Sequence, residues 1–244
     1  MATGILLATS ARAHPGRSVA DTSHDRLADL VAAQQRSADA ATAQQRQLRA
    51  QVNALASAEA GTDARVATQQ AAAAALAGPA GLTPVTGAAY RVSLDDAPKG
   101  ASVEAGYPDP TPDDLVVHQQ DVQGVVNALW AGGARAMTIM DQRVVSTSAV
   151  RCVGNTLLLQ GRVYSPPFVV TAIRDPARLA AAVDAAPPVQ IFRQYVHVYG
   201  LRFVTRTLSS VTLPAFDGPL AVSYASPVPK ATATDSARPT SEGP

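Results

Sequence analysis

The sequence predicts an α+β protein: a long N-terminal coiled-coil helix followed by a mixed-sheet α/β sandwich domain, ferredoxin-like in style. Three observations carry that expectation. The first is an unbroken 4-3 spacing of mostly apolar residues between Leu27 and Leu55. The second is the stretch from Asp121 to Thr156, which reads as helix, glycine stop, strand, tight turn, strand and a polar Gly-Asn corner. The third is the interleaving that follows. Strands alternate with helices too few in number for a doubly wound sheet, which favours helices on one face of a mixed sheet.

The arm comes first. Leu27, Val31, Gln34, Ala38, Ala41, Gln45, Leu48, Val52 and Leu55 step by 4 and 3, and seven of the nine are apolar. That is a heptad seam, with Val31, Ala38, Gln45 and Val52 at a and the others at d. Beyond it Glu59, Thr62 and Gln69 weaken the register, and Gly61 lowers helix propensity. A continuous helix from His24 to Leu76 would reach roughly 80 Å at the usual rise per residue. We expect residues 19–77 to form this arm and to pair with a second copy as a parallel dimer. A single solvated or back-folded helix is the alternative. Gly78-Pro79-Ala80-Gly81 ends it, and residues 78–88 form a linker.

Residues 89–225 read as the α+β domain. Tyr90, Val92 and Leu94 alternate as a strand that ends at Asp95-Asp96, and Pro98 to Pro112 is a loop rich in proline. Leu115 to Val117 is a candidate short strand. Val122, Val125, Val126 and Leu129 mark the buried face of the main helix, opened by His118 or Asp121 and stopped by Gly132-Gly133. Ala136 to Met140 is a strand, Leu157 to Leu159 another, and Gly161 to Pro167 a loop. Phe168 to Ile173 is a buried strand. Asp175-Pro176 starts a short helix with Leu179 and Val183 inward. Val189 to Tyr199 carries both a strand and a helix period; Gly200 as a stop decides for helix. Leu201 to Thr207 and Val211 to Leu213 complete the sheet. Residues 226–244 turn to Ser, Thr, Pro and Ala with no apolar period, the composition of a disordered tail.

Composition bounds the function. The formal net charge is +1, with 20 basic and 19 acidic residues, and no basic block stands ready for nucleic acid. One cysteine, Cys152, excludes an intramolecular disulfide and thiolate zinc sites of the two- to four-cysteine type. The four histidines are scattered with no i, i+4 pair, and no HExxH, GxSxG, Walker loop or GxGxxG is present. No metal or cofactor is expected. The acid pairs Asp95-Asp96 and Asp113-Asp114 sit in proline-rich loops, where turn and cap roles dominate. Arg143, Arg151 and Asn155 are the candidate binding cluster for an anion or a partner carboxylate, because arginine suits bidentate contacts. Against it stands the plain reading: two outward strand arginines and a turn asparagine. The first ten residues, MATGILLATS, are too short to span a membrane and lack the basic start of a signal peptide. They read either as a frayed end or as the last turns of a membrane helix that begins upstream, in which case Met1 is not the native start.

The strings YRVSLDDA, DVQGVVNALWAGGA, QRVVSTSAVRCVGNTLL and SPPFVVTAI resemble the YlxW/YlxX-like family of bacterial envelope proteins, a domain-of-unknown-function family numbered 881. The likeness spans residues from about 20 to 225. It implies a single-pass membrane anchor, missing or truncated in this chain, and a coiled-coil arm carrying an extracytoplasmic α/β domain. It also implies proximity to cell division and wall synthesis, with envelope or division proteins as partners and no established activity. Two departures stand out. The family usually has Asn-Gly where this chain has Met140-Asp141, so a longer turn or one of another type is expected here. It also tends to have glycine at the position of Arg174. The reading that follows is a membrane-anchored scaffold without enzymatic activity. A sensor domain for a small ligand or glycan is the alternative, favoured if a pocket gathers polar groups.

Overall fold

The computed structural model describes residues 19–218 apart from Ser102, and the side chains of Arg26 and of residues from 29 onward. The expected anchor remnant at residues 1–18, the tail at 226–244 and the side chain of Leu27 lie outside the described residues.

The arm is two helices, not one. Helix α1 runs Val19–Ala60 and α2 runs Ala64–Ala77. The break falls at Gly61, the residue of low propensity, and Asp63 makes it durable. Asp63 is extended, with φ −120° and ψ 115°, and its carboxylate accepts the Arg65 N–H at 2.7 Å, capping α2. At the far end Gly81 is left-handed (φ 78°), while the Gly81 and Leu82 N–H groups return to the Gly78 and Ala77 carbonyls at 2.9 and 2.8 Å. This double closure is the Schellman stop, which only glycine enters without strain.

Strand β1, Val85–Asp95, is an inner strand of a five-stranded sheet. Helix α3 (Gln119–Ala131) follows a 3-10 turn at Pro112–Leu115, and the short strand expected at Leu115–Val117 is not formed. Thr111 and Asp114 close that turn with a reciprocal capping box, and the adjacent proline disfavours a ladder. Next come β2 (Ala136–Ile139) and β3 (Gln142–Arg143), then β4 (Arg151–Val153), β5 (Thr156–Leu159), β6 (Arg162–Tyr164) and β7 (Phe168–Ile173). Helices α4 (Pro176–Ala185) and α5 (Pro187–Tyr199) lead to β8 (Arg202–Leu213). Gly200 stops α5 at φ 79°, as the sequence suggested.

The main sheet has the order β3-β2-β7-β1-β8, and the small sheet the order β4-β5-β6. Every hydrogen-bonded pair is antiparallel, so the expected mixed sheet is corrected to an antiparallel one. Since β1 and β2 both run against β7, they are parallel to each other with β7 between them. Two further expectations change. The loop at Gly161–Pro167 contains β6, paired through the two-residue turn Gln160-Gly161, where both residues have positive φ. The two C-terminal strands are one. Ser209-Ser210 is not a gap but lies at a register shift opposite Gly87/Ala89, a bulge that absorbs the extra residue.

One core joins these parts. Val122, Val125 and Leu129 of α3 are buried against Met137, Ile139, Phe168 and Val170. Leu179 and Val183 of α4, with Val189 and Phe192 of α5, close the same face of the sheet. Leu157 and Leu159 bring the small sheet onto this core, which is why β5 alternates buried and half-buried residues.

Candidate functional site

Helix α3 has two faces. One is the buried valine and leucine face. The other carries Gln119, Gln123, Asn127 and Trp130 at i, i+4, i+8 and i+11. The helix is aimed by its ends. His118 is the N-cap, and Asp121 reaches back to accept the His118 N–H at 2.8 Å. At the other end Arg178 donates from Nε to the Gly132 carbonyl at 3.0 Å. Burial raises the Asp121 pKa, and the His118 N–H and ring act against it.

Opposite the polar face stand the β2–β3 hairpin, the loop 144–150 and β5. The hairpin turn is two residues, Met140-Asp141, as the pairing of Ile139 with Gln142 requires. Of the two outcomes expected from the departure from Asn-Gly, the longer turn is not formed and a turn of another type is, since Asp141 does not share the positive φ that type I′ needs twice. Methionine takes the left-handed φ of 54° instead. Its N–H donates to the Val169 carbonyl at 2.7 Å and its sulfur accepts the Val169 N–H at 3.2 Å. Two bonds to β7 hold a conformation that methionine rarely adopts. The loop is closed by Ser148, whose N–H donates to the Val145 carbonyl and whose Oγ accepts the Val145 N–H, both at 2.9 Å.

These elements enclose a cavity of about 640 Å³, bounded by the α3 face, Ile139, Gln142, the 144–150 loop and Leu159-Gln160. Its lining is almost free of charge. Arg143 is the one ionisable member. That arginine is 4% exposed, and its Nη1 donates to the Pro214 and Thr83 carbonyls at 2.8 and 3.2 Å. Burial lowers its pKa, yet a guanidinium stays protonated. Its Nε has no partner among the described residues. Arg143 therefore ties the end of the arm linker to the segment after β8.

The three candidate residues divide. Arg143 lines the cavity but is buried, with its Nη1 donating to backbone carbonyls. Arg151 is exposed on β4, and Asn155 is exposed in the Gly154-Asn155 turn of the same hairpin. Neither lines the cavity. Cys152 is half-buried beside them, and its N–H donates to Gln119 Oε1 at 3.1 Å. The amide face of α3 was not singled out from the sequence. The signal was there, as polar side chains at helical spacing ending in the chain's one tryptophan, opposite the apolar face that was read.

A second polar cluster links the small sheet to the arm. Gln142 Nε2 donates to Tyr164 Oη at 2.8 Å, and Tyr164 donates to Asp141 at 2.5 Å. Arg162 bridges Asp141 and Asp39 of α1, each at 3.2 Å. Burial, and then the Asp141 bond, push the Tyr164 phenol far above its usual range. Burial alone would raise the Asp141 pKa. The bonds from Tyr164 and Gln142, with the Arg162 charge, outweigh it and leave that carboxyl below its usual value. Further contacts complete the seat of the arm. Arg46 meets Asp217 at 2.8 Å, Arg49 donates to the Gly218 carbonyl at 2.6 Å, and the Val163 N–H donates to Gln35 at 3.4 Å.

An antiparallel α+β domain with a helical arm seated on it and an amide-lined cavity beside its main helix defines the class. The chain belongs to the family described as bacterial protein of unknown function (DUF881), whose model matches residues 72–226. It is 31% identical over 105 residues to the UPF0749 protein YlxW of Bacillus subtilis, covering 42% of each chain. It is 30% identical over 181 residues to the UPF0749 protein Rv1825 of Mycobacterium tuberculosis, covering 72% of this chain and 56% of that one. The matches thus span between about two fifths and just over half of these two relatives' lengths. A crystal structure of an uncharacterized conserved protein from Mycobacterium tuberculosis is similar with 30% identity and a TM-score of 0.47, covering 64% of this chain and 98% of that chain.

Proposed function

We propose that this protein is a scaffold whose arm pairs with a second copy and whose domain docks envelope partners, with no catalysis of its own. The observation that carries the reading is the outward stripe of the arm. Val31, Leu48, Val52 and Leu55 are exposed, Leu55 at 72%, at positions a, d, a and d of the heptad seam. Large apolar residues exposed in a row mark an interaction surface. Pairing would also double the valency of the domain, raising its apparent affinity for a partner without a new contact. The resemblance to envelope proteins supports a membrane-anchored, extracytoplasmic setting near division or wall synthesis. Among the described residues no helix is long and apolar enough to cross a membrane. The anchor is accordingly proposed for sequence outside them. The order β2-β7-β1-β8, with β7 between β1 and β2, supports reading the domain as ferredoxin-like in style.

Sedimentation equilibrium of the full chain tests the pairing. A monomer–dimer equilibrium is expected, abolished by Leu48→Asp because a charge would enter the seam. Leu48→Cys should cross-link to its own copy, as a parallel register requires. A monomer at every concentration, with no such cross-link, would overturn the reading.

A further inference from the structure

We propose that the cavity beside α3 binds an uncharged saccharide. The argument begins with what the lining lacks. It contains no aspartate, glutamate, lysine or histidine, and its one arginine is occupied by the Thr83 and Pro214 carbonyls. The carbonyls leave that guanidinium's charge in place, but the residue is 4% exposed, so an ionic ligand would find no exposed opposite charge to pair with, and desolvating it uncompensated is costly. The lining is instead rich in carboxamides, from Gln119, Gln123, Asn127, Gln142 and Gln160. Each carboxamide offers a donor and an acceptor side by side. A sugar hydroxyl is also donor and acceptor at once, so carboxamides suit it at either end.

Three of these amides are already fixed by the protein. Gln119 accepts the Cys152 N–H, Gln142 donates to Tyr164, and Gln160 donates to the Arg143 carbonyl at 3.2 Å. Fixed amides cost little further ordering on binding. Gln123 and Asn127 have no side-chain hydrogen-bond partner among the described residues, and both are exposed. Beside them Trp130, 39% exposed, supplies an indole for the C–H face of a pyranose ring. An outward helix face of glutamine and asparagine is ordinarily just solvated. Here it is one wall of a concave volume, with Ile139, Val144, Val145, Val150 and Leu159 as the apolar part of the facing side. The size, about 640 Å³, lies within the range of small-molecule sites.

The chain supplies its own probe, because Trp130 is its single tryptophan. The full chain is titrated with cellotriose and with tri-N-acetylchitotriose while indole emission is followed. One neutral trisaccharide or both should change the emission saturably, while inorganic phosphate leaves it unchanged. Asn127→Ala and Gln123→Ala should each weaken binding about tenfold, the worth of a lost hydrogen bond that leaves its partner unpaired. Both residues are exposed, so far-UV circular dichroism should stay as in the parent. Arg151→Ala, outside the cavity, should bind as the parent does. The proposal is overturned if neither sugar alters the emission up to its solubility limit. It is equally overturned if phosphate gives the same change, or if the two amide variants bind like the parent.

Discussion

Arg143→Met tests whether a residue that looked like a docking group is a clamp. Methionine keeps much of the apolar stem and removes the guanidinium. Two bonds from a charged donor disappear, at 2.8 Å to Pro214 and 3.2 Å to Thr83. Hydrogen bonds to charged groups are worth roughly 1.5–3 kcal/mol each, and the longer one belongs at the low end, so the gross loss is about 3–4 kcal/mol. Part of that returns. The buried Nε has no partner among the described residues, and removing a half-satisfied cation from the interior relieves about 1 kcal/mol or more of desolvation. The expected net loss is about 2–3 kcal/mol, which for a chain of this size lowers the Tm by roughly 4–12 °C. Urea unfolding followed by circular dichroism measures it. Hydrogen exchange locates it, because the Phe216 N–H donates to the Gly81 carbonyl between the two clamped segments and should lose protection first. Arg151→Met, at an exposed strand position, should stay within about 0.5 kcal/mol of the parent. If Arg143→Met is equally neutral and Phe216 keeps its protection, the clamp does not exist. Arg143 would then return as a free binding group.

Two more predictions concern the seat of the arm. Tyr164→Phe removes the hydroxyl between Gln142 and Asp141 and should cost roughly 1–2 kcal/mol near neutral pH. The Asp141 carboxyl is held below its usual pKa, so its contribution is present above the unfolded value and lost as pH falls through the folded one. The Tyr164→Phe deficit should therefore shrink in acid, and a deficit unchanged from neutral pH down to about pH 2 would refute the linkage. Separately, the arm contacts are exposed ion pairs worth at most about 1 kcal/mol each and open to screening. A donor–acceptor dye pair on α1 and β6 should separate as salt rises to about 1 M, where the screening length falls to a few ångströms. A separation that does not change with salt would show that something other than charge seats the arm.

Much of the domain was legible because local and tertiary signals agreed. The face Val122, Val125, Val126 and Leu129 is buried as its period requires, and Phe168–Ile173 is a buried strand as an unbroken apolar run suggests. Gly200 settled an ambiguous segment through its left-handed φ. The misreadings share one cause, a polar or proline-containing string that tertiary pairing overrules. Arg162–Tyr164 is a strand only because β5 supplies its partner. Ser209-Ser210 continues a strand only because β1 runs alongside. Strand direction was not legible either, since β7 enters between β1 and β2 from far along the chain. The candidate site was half legible. Arg143 proved to be at the cavity but not free, and no local pattern announces that two distant carbonyls, Thr83 and Pro214, will claim it.

The arm explains its own irregularity. Among the weak members of the coiled-coil seam, Gln34 and Ala41 at d are exposed, and the two at a are Ala38 and Gln45. These two are half-buried in the single chain, together with Gln35, Thr42 and Arg49, while Val31, Leu48, Val52 and Leu55 stay exposed. The two weak a positions thus lie on the flank facing the domain. That flank makes polar contacts, through Gln35, Asp39, Arg46 and Arg49. One helix therefore serves two surfaces, a polar edge turned inward and an apolar stripe turned outward. In the proposed dimer a full seam buries the a positions as well, so the inward flank has to lift between Ala38 and Arg49. The contacts it gives up are of the weak exposed kind. Burying a large apolar side chain returns roughly 1.5–3 kcal/mol each, and Leu48, Val52 and Leu55 together outweigh the ion pairs released. Seated arm and paired arm are then alternatives set by protein concentration and salt. A heptad that never reaches full apolar strength is what keeps both within reach.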